Sequence, residues 1–449
     1  MSVSAELDYD AADVTTWGAR NAHDPTVVRA DDGSWYMFST DAGAGTAEST
    51  APAGVHMRHS TDLVNWEFTG TALPGVPGQA AALTGAPGLW APEVVRWPAN
   101  ADGESLWHMY YSASTFGSNT SAIGLATAPD PAGPWAHQGL IVATEAGVDA
   151  QNAIDAAVTF DAEGQPWLTY GSFFAGIHTL RLSLSDGMPE VAGAKGSLIA
   201  VRDVAVEGSV EGAYVLYRKE TGKYVLFASY GSLFDSYNVR VAVADSMEGP
   251  YRDALGASLT DLDLEPWQAG TKILGSWKFD GGPTWIAPGH NSVLVEQSVG
   301  GEEYFMVHHV RFADHGAAQT VEHTAHLRRM FFTDGGWPVV SPHIFQGADK
   351  EILSAEEPIA GLWQAARFTP ESEETAESSR VLIRVLSGPE GSAGEVVRCR
   401  LALTAGGSGE PVTVDAVVFG AWDDSGQKSV LSFSGIDAGG HAWFGSKGD

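Results

Sequence analysis

The chain is poor in cysteine and has no long hydrophobic run. Cys399 is the only cysteine among 449 residues, which excludes an intramolecular disulfide framework and predicts a buried structural thiol. No cysteine and histidine cluster has the spacing of a zinc site. No segment approaches the length of a membrane-spanning helix, and Met1 to Asn21 lack the basic and apolar regions of a signal peptide. We therefore expect a cytoplasmic protein, or a secreted one if a signal peptide has been removed.

Basic residues are also scarce. The chain has 25 of them against 56 acidic residues, which gives a net charge of −31. Such a charge repels phosphate backbones and anionic lipids, so we expect no nucleic acid and no membrane as partner. It disfavours polyuronate substrates, whereas a neutral glycan is indifferent to it. The alternative that acidity mainly serves solubility or salt tolerance stays open. We expect a monomer or a weak oligomer.

An aromatic-centred apolar strand recurs five times along the chain. The copies begin at Trp35, Trp107, Trp167, Tyr224 and Tyr304, and an ionisable residue precedes each copy by 11 to 14 positions. The intervals of 72, 60, 57 and 80 residues are too long for a solenoid but suit four-stranded blades with loop insertions. The sequence therefore predicts an all-β fold with a five-bladed β-propeller.

The repeat stops near residue 350. Beyond Ile359, short alternating strands separated by Gly, Ser and Pro turns predict a small antiparallel β-barrel or sandwich. We expect a catalytic propeller domain over residues 1–350 and an accessory β domain over residues 351–449. The second domain offers no constellation of catalytic residues, so its expected role is accessory or stabilising.

The innermost strand of each propeller blade lines the central axis, so residues at equivalent positions converge there. The ionisable residues upstream of the five strands are Asp24, Glu93, Asp155, Glu211 and His290. Glycosidic hydrolysis needs a carboxyl that protonates the leaving oxygen and a carboxylate that activates water or attacks directly. A nearby third acid can keep the pKa of the proton donor high. Asp24, Asp155 and Glu211 supply such a trio, with Glu207 as a competitor of Glu211.

Several stretches of the chain carry a family resemblance. They are His-Asp-Pro at 23–25, Leu-Trp-Ala-Pro-Glu at 89–93, Ser-Thr-Phe-Gly-Ser-Asn at 114–119, Asn-Ala-Ile-Asp at 152–155 and Pro-Gly-His-Asn-Ser at 288–292. In these stretches the chain resembles family 43 glycoside hydrolases, most closely the endo-α-1,5-L-arabinanases. The resemblance covers roughly the first three-quarters of the chain. The C-terminal region resembles the β-barrel-like extension of some larger members.

The resemblance implies roles for the acidic trio. Asp24 matches the general base, Asp155 the group that orients the acid and tunes its pKa, and Glu211 the general acid of an inverting hydrolase. The implied substrate is arabinan, a neutral pentose polysaccharide, or its oligosaccharides. Ala156 and Ala213 stand where relatives commonly have proline. Glu93 has no catalytic counterpart in the family, and we interpret it as a structural carboxylate at the same blade position as the trio.

Sugar binding needs flat apolar faces and fixed polar groups. By the resemblance, Trp90 and Phe116 line the subsites, while Asn152 and Ser172 match residues that hydrogen-bond the furanose.

An ion is also implied by the resemblance. In related arabinanases the histidine that matches His290 contacts an ion, commonly calcium, so one calcium or another ion is expected in the central channel; no organic cofactor is expected. One histidine is a weak calcium site because calcium prefers oxygen, and a neutral His290 hydrogen-bonded to the carboxylates is the alternative. The pair His308 and His309 and the spacing of His323 and His326 lack a carboxylate or thiol that would complete a metal set, so we interpret them as strand and loop residues.

The sequence leaves the mode of action open. The expected activity is endo-cleavage of α-1,5-linked arabinan. An exo-acting α-L-arabinofuranosidase or β-xylosidase on the same scaffold is the alternative among enzymes, and a non-catalytic glycan-binding propeller is the alternative from another class. Uncompensated carboxylates around a neutral sugar argue against the binding protein. Endo or exo action depends on whether loops such as residues 71–88 leave the cleft open at both ends.

Overall fold

The computed structural model describes most of the chain. The described residues are 13–44, 51–99, 103–298, 300–312, 323–353, 357–388, 396–406 and 409–447, so residues 1–12 of the N-terminal segment discussed above lie outside them. Within these ranges the fold is almost entirely β, with one α-helix, α1 (Gly78–Thr84). No helix in the described part of the chain has the length and hydrophobicity needed to span a membrane.

Four consecutive four-stranded antiparallel sheets form the first four blades. Blade one contains β1 (His23–Arg29), β2 (Trp35–Thr40), β3 (His56–Ser60) and β4 (Glu67–Thr71). Blade two contains β5 (Trp90–Arg96), β6 (Trp107–Ala113), β7 (Ser121–Ala128) and β8 (Ala136–Thr144). Blade three contains β9 (Ala157–Phe160), β10 (Pro166–Tyr170), β11 (Ile177–Arg181) and β12 (Ser197–Ala200). Blade four contains β13 (Val210–Arg218), β14 (Lys223–Tyr230), β15 (Asn238–Ala244) and β16 (Thr271–Leu274).

Blade five and the C-terminal barrel complete the fold. The fifth blade contains β17 (Trp277–Lys278), β18 (Thr284–Ser298), β19 (Gly301–Phe312), β20 (Thr324–Phe332) and β21 (Pro338–Val340), and β23 (Ala376–Glu377) pairs with β17 in parallel. The closed barrel is built from β22 (Gly361–Arg367), β24 (Ser379–Ser387), β25 (Val397–Ala405), β26 (Val412–Asp423), β27 (Lys428–Asp437) and β28 (Ala442–Ser446). The predicted five-bladed propeller is therefore confirmed, and the C-terminal β domain is a six-stranded antiparallel barrel.

The aromatic-centred strands β2, β6, β10 and β14 are the second strands of their blades, and β19 takes the corresponding place next to the inner strand β18 in blade five. Every residue of β6 and β10 is buried. A second strand is covered on both faces because its blade packs between two others, which explains why these strands are nearly continuous apolar runs. The ring is closed where Ala22 N–H donates to the His323 carbonyl (3.1 Å), at the entry of β20.

The barrel and the propeller share a hydrophobic core. Phe331 of β20 stacks on Phe419 of β26 at 4.3 Å between ring centroids, and Trp277 of β17 meets Phe444 of β28 edge-on at 5.8 Å. The only cysteine, Cys399, is buried within the barrel, as predicted. The barrel begins at Gly361, and the domain boundary between residues 350 and 351 stays a prediction.

Candidate active site

A residue with left-handed backbone lies at or just before the start of the inner strand in blades one to four and inside the long inner strand β18 in blade five. The φ angles are 51° at Asp24, 41° at Ala91, 61° at Asp155, 57° at Gly212 and 47° at His290. In β1, β5, β13 and β18 the residue lies in a β-bulge, where the register with the second strand shifts. Bulges re-aim side chains, and left-handed backbone outside glycine is strained and concentrates at functional sites. Asp24, Asp155, Glu211 and His290 come together beside these left-handed positions, and we call this group the axial site.

Asp24 is the most heavily hydrogen-bonded carboxylate of the axial site. Its Oδ2 accepts a hydrogen bond from the Thr40 hydroxyl (2.6 Å) and lies 3.2 Å from His23 Nδ1, while its Oδ1 lies 3.0 Å from His290 Nδ1. Burial by itself would raise the pKa of Asp24, but the charges and hydrogen bonds of His23 and His290 outweigh it and hold the pKa well below its usual range. Asp24 is therefore ionised in the folded protein.

His290 is the cation of the axial site. Burial would lower its pKa, yet the charges of Asp24 and Asp155 and the hydrogen bond to Asp24 raise the pKa to about 9. Its backbone N–H donates to the Ser229 hydroxyl at 2.8 Å, which fixes the bulge. The hydrogen bond to a carboxylate that we considered as the alternative to ion binding is present, but the histidine that makes it is charged rather than neutral.

Asp155 and Glu211 are a pair of buried carboxyl groups with raised pKa values. Burial raises the pKa of both groups, and His290 opposes the rise in both cases. The Ser172 hydroxyl donates to Glu211 Oε2 (2.6 Å), and the Gly212 N–H donates to Asp155 Oδ2 (3.1 Å). The raised pKa values mean that this pair retains a proton near neutral pH, next to the ionised Asp24. The competitor Glu207 instead ends an exposed 3₁₀ turn.

Glu93 does not occupy the blade position of the trio, contrary to the prediction. In the sheet register Glu93 pairs with Tyr110 just as Thr26 pairs with Phe38, so Glu93 corresponds to Thr26 and lies two residues beyond the left-handed Ala91. Its carboxylate accepts a hydrogen bond from the Thr26 hydroxyl at 3.0 Å, and burial raises its pKa to about 8. The difference arises because a bulge adds residues that the spacing to the next strand does not reveal. Its location is that of a structural carboxylate.

The predicted sugar-binding residues are close to the axial site but differ in their solvent exposure and in the hydrogen bonds that they already make. Phe116 is 80% exposed in the loop between β6 and β7, and Trp90 is partly buried at the start of β5. Asn152 is buried, with its Oδ1 accepting from Ser121 and its Nδ2 directed at the Ser172 carbonyl (3.3 Å). Because the Ser172 hydroxyl donates to Glu211, it orients the Glu211 carboxyl rather than being free for a sugar.

Sequence reasoning missed three aromatic residues at the site. Phe174 (47% exposed) and Phe234 (52% exposed) lie in the loops that follow β10 and β14, at the same blade position as Phe116. Alternation of strand direction brings these loops to the end of the propeller at which the inner strands begin, where the axial site lies. Tyr237 is buried beside the axial site, and its hydroxyl lowers the pKa of Glu211 by hydrogen bonding. The repeat offered a signal for the two phenylalanines, since all three loops follow an aromatic-centred strand.

A histidine cluster lies next to Asp24. His23, His309 and His323 each offer a ring nitrogen, and these atoms lie within 4.8 Å of one another. The Nε2 atoms of all three are buried without a hydrogen-bond partner in the described structure. Burial lowers the pKa of His309 to about 3 and that of His323 well below its usual range, so both keep a free lone pair. The interpretation of His309 and His323 as ordinary strand and loop residues was incomplete, because this cluster could hold an ion.

The cluster fits calcium poorly as a set of direct ligands. Calcium takes six to eight oxygen ligands, and the cluster offers nitrogen. The rings of His23 and His309 are stacked with 10° between their planes and 4.5 Å between centroids, so their in-plane lone pairs do not point at a common atom. A divalent metal that prefers nitrogen, at the usual distance of about 2.0–2.1 Å, needs one ring to rotate. His290 Nδ1 is already hydrogen-bonded to Asp24, so this nitrogen is not available to the calcium ion that the resemblance predicts beside His290.

Comparison with known proteins agrees with this site. Residues 18–338 match the family described as glycosyl hydrolases family 43. An extracellular endo-α-(1→5)-L-arabinanase of Thermotoga petrophila is 30% identical, with 82% of this chain and 80% of the relative covered. An extracellular exo-α-(1→5)-L-arabinofuranosidase of Cellvibrio japonicus is 28% identical, with 71% of this chain and 86% of the relative covered.

Solved structures extend the similarity to both domains. The crystal structure of an endo-1,5-α-L-arabinanase from Thermotoga petrophila RKU-1 superposes with a TM-score of 0.77 at 25% identity and covers 95% of this chain and 98% of that one. The match therefore includes the C-terminal barrel as well as the propeller. With a family match over most of the propeller and homologues over most of the chain, the protein belongs to glycosyl hydrolases family 43 and is related to arabinanases.

Proposed function

We propose that the protein hydrolyses internal α-1,5-L-arabinofuranosyl linkages of arabinan with inversion of configuration. The observation that carries this proposal is the difference in protonation at the axial site. Asp24 is held ionised, while the pair Asp155 and Glu211 retains a proton next to it. An inverting hydrolase needs this combination of one base and one acid.

The proposed reaction uses each group once. Asp24 accepts a proton from a water molecule as the water oxygen attacks the anomeric carbon, and Glu211 donates its proton to the glycosidic oxygen as the bond between that oxygen and the anomeric carbon breaks. The products are a hemiacetal of inverted configuration and a free hydroxyl. Burial and the charge of Asp24 raise the pKa of Glu211, and Ser172 orients its carboxyl through the 2.6 Å hydrogen bond. Asp155 lies beside this acid and is proposed to orient it and tune its pKa.

The surroundings support a neutral chain as substrate. The net charge of −31 disfavours a polyanionic glycan, and Phe116, Phe174 and Phe234 offer exposed apolar faces in three consecutive blades around the axial site. Several separate platforms suit a substrate of several sugar units better than a single terminal sugar. This arrangement favours endo over exo action.

Product analysis on linear, debranched 1,5-α-arabinan tests the proposal. A ladder of oligosaccharides is the expected result, with the first product of inverted anomeric configuration by NMR. In Glu211→Gln the polysaccharide activity should fall by about 10²–10⁴-fold. An aryl arabinofuranoside with a good leaving group needs less protonation, so this variant should retain more of its activity on the aryl substrate.

Two other functions remain as outcomes of the same experiment. Arabinose as the sole early product would indicate exo action instead of endo action. The Cellvibrio japonicus relative is named as an exo-acting enzyme. No cleavage of arabinan, xylan or aryl glycosides would favour a glycan-binding propeller. We also propose that an ion binds beside the axial site at His23, His309 and His323, and elemental analysis of the purified protein would identify it.

A further inference from the structure

A second cavity lies where the barrel meets the fifth blade. It encloses about 320 Å³, which is within the usual range of small-ligand sites. The propeller contributes Phe279 and Trp285, the barrel contributes Trp422, and none of the axial-site residues lines it. The mechanism proposed above makes no use of this cavity.

The lining combines aromatic faces with hydrogen-bonding groups. Trp285 and Trp422 are only partly buried, so part of each indole remains accessible. Lys350 Nζ lies 5.0 Å from the ring centroid of Trp422 and covers one face, and the Nε1 atom of Trp422 is buried without a hydrogen-bond partner in the described residues. Asp280, Asp423 and Asp424 add acceptors, whereas Lys428 and Lys447 add donors. Aromatic planes flanked by mixed donors and acceptors match a polyhydroxylated ring.

The position of the cavity relates it to the axial site. Trp285 precedes His290 by five residues on the same strand, β18. At about 3.3 Å per residue the separation along the strand is at most roughly 16 Å. Trp285 pairs with Phe312 and Gly289 with His309, so β18 and β19 continue from the axial site towards the cavity as one ribbon. A single extended glycan can therefore reach both places.

We infer that this cavity, with Trp422 and Trp285 as its aromatic faces, is an accessory subsite that binds a distal segment of a neutral oligosaccharide or polysaccharide chain. An anionic glycan is disfavoured because three carboxylates face two ammonium groups in the lining. The choice of arabinan as the chain rests on the proposed function. The inference gives the barrel a role in substrate binding and requires that both domains contribute to one site.

Affinity electrophoresis in gels that contain debranched arabinan tests the inference without turnover. In the Glu211→Gln background, adding Trp422→Ala or Trp285→Ala should weaken retardation by about five- to tenfold. Trp267→Ala removes a tryptophan that is 41% exposed and outside the cavity, so it is the matched control and should leave retardation unchanged. Melting temperature and circular dichroism confirm that each variant is folded.

Kinetics of the otherwise unmodified enzyme give the second readout. Trp422→Ala should raise KM on the polysaccharide by a similar factor and leave hydrolysis of an aryl arabinofuranoside unchanged, because the small substrate does not reach the cavity. Unchanged retardation in folded variants of both tryptophans, or an equal loss on both substrates, would overturn the inference. If the parent neither binds nor cleaves arabinan, the proposed function fails. The same gels with xylan and other neutral glycans then test the accessory subsite separately. Retardation that Trp422→Ala weakens would support the subsite, and retardation that Trp422→Ala leaves unchanged would reject it.

Discussion

Thr40 connects Asp24, the proposed general base, to the second blade, and its replacement by valine is a direct test of how the axial site is held. The Thr40 hydroxyl donates to Asp24 Oδ2 at 2.6 Å and accepts from the Ala91 N–H at 2.8 Å. Thr40 is 5% exposed, so water cannot readily replace these bonds. Valine has nearly the same shape and replaces the hydroxyl with a methyl group that cannot form a hydrogen bond. The variant therefore leaves one buried N–H and one buried carboxylate short of a partner.

The expected loss can be worked out from these two contacts. An unsatisfied buried donor costs about 1–3 kcal/mol, and a hydrogen bond to a charged group is worth about 1.5–3 kcal/mol. Because relaxation recovers part of this, we expect the free energy of unfolding of Thr40→Val to fall by about 2–4 kcal/mol. A base that is less well oriented should lower kcat by about 10–100-fold, with little effect on KM, since in the proposed reaction Asp24 contacts the attacking water rather than the bound chain.

Two control variants make the result interpretable. Thr40→Ser keeps the hydroxyl and should restore kcat to near the parent value. Thr169→Val removes a fully buried hydroxyl from β10 whose hydrogen bond goes to the Thr179 hydroxyl (3.5 Å) and not to an axial-site residue, and it should affect kcat little. Guanidinium unfolding and steady-state kinetics on debranched arabinan measure both quantities. If Thr40→Val were as stable and as active as the parent, the connection through Thr40 would carry no function and the reasoning would be refuted.

Three further results are expected. Activity should decline as pH rises through the raised pKa of Glu211, because the acid loses its proton; a rate that keeps rising through the alkaline range would contradict this assignment. Gly212→Ala should reduce kcat at least about tenfold, because Gly212 has left-handed backbone and the new methyl group would lie 3.0 Å from the His290 ring. Gly222→Ala is the control: Gly222 also has left-handed backbone, but a methyl group there would have no atom within 4 Å, so this variant should only lower the melting temperature. If an ion binds the histidine cluster, dialysis against a chelator should lower the melting temperature reversibly, and His323→Ala should abolish that response; an identical response in the variant would place the ion elsewhere.

The repeat in the sequence was sufficient to predict the number of blades, because a second strand buried on both faces must be apolar throughout. The same repeat predicted that Asp24, Asp155, Glu211 and His290 converge, since blade symmetry brings the starts of the inner strands to one axis. It placed Glu93 incorrectly, because the spacing to the next strand does not record where a bulge inserts residues.

Contacts between blades could not be deduced from local patterns. Asp24 and His309 are 285 positions apart, and the role of His309 beside Asp24 depends on the first and last blades closing into a ring. The cavity between Trp285 and Trp422 likewise exists only because the barrel packs on the fifth blade. The sequence by itself determined which strands form and which carboxylates face the axis, because periodicity and burial act locally. The tertiary structure alone decided the protonation of those groups, the histidine cluster and the cavity, because these depend on distances between residues that the chain separates widely.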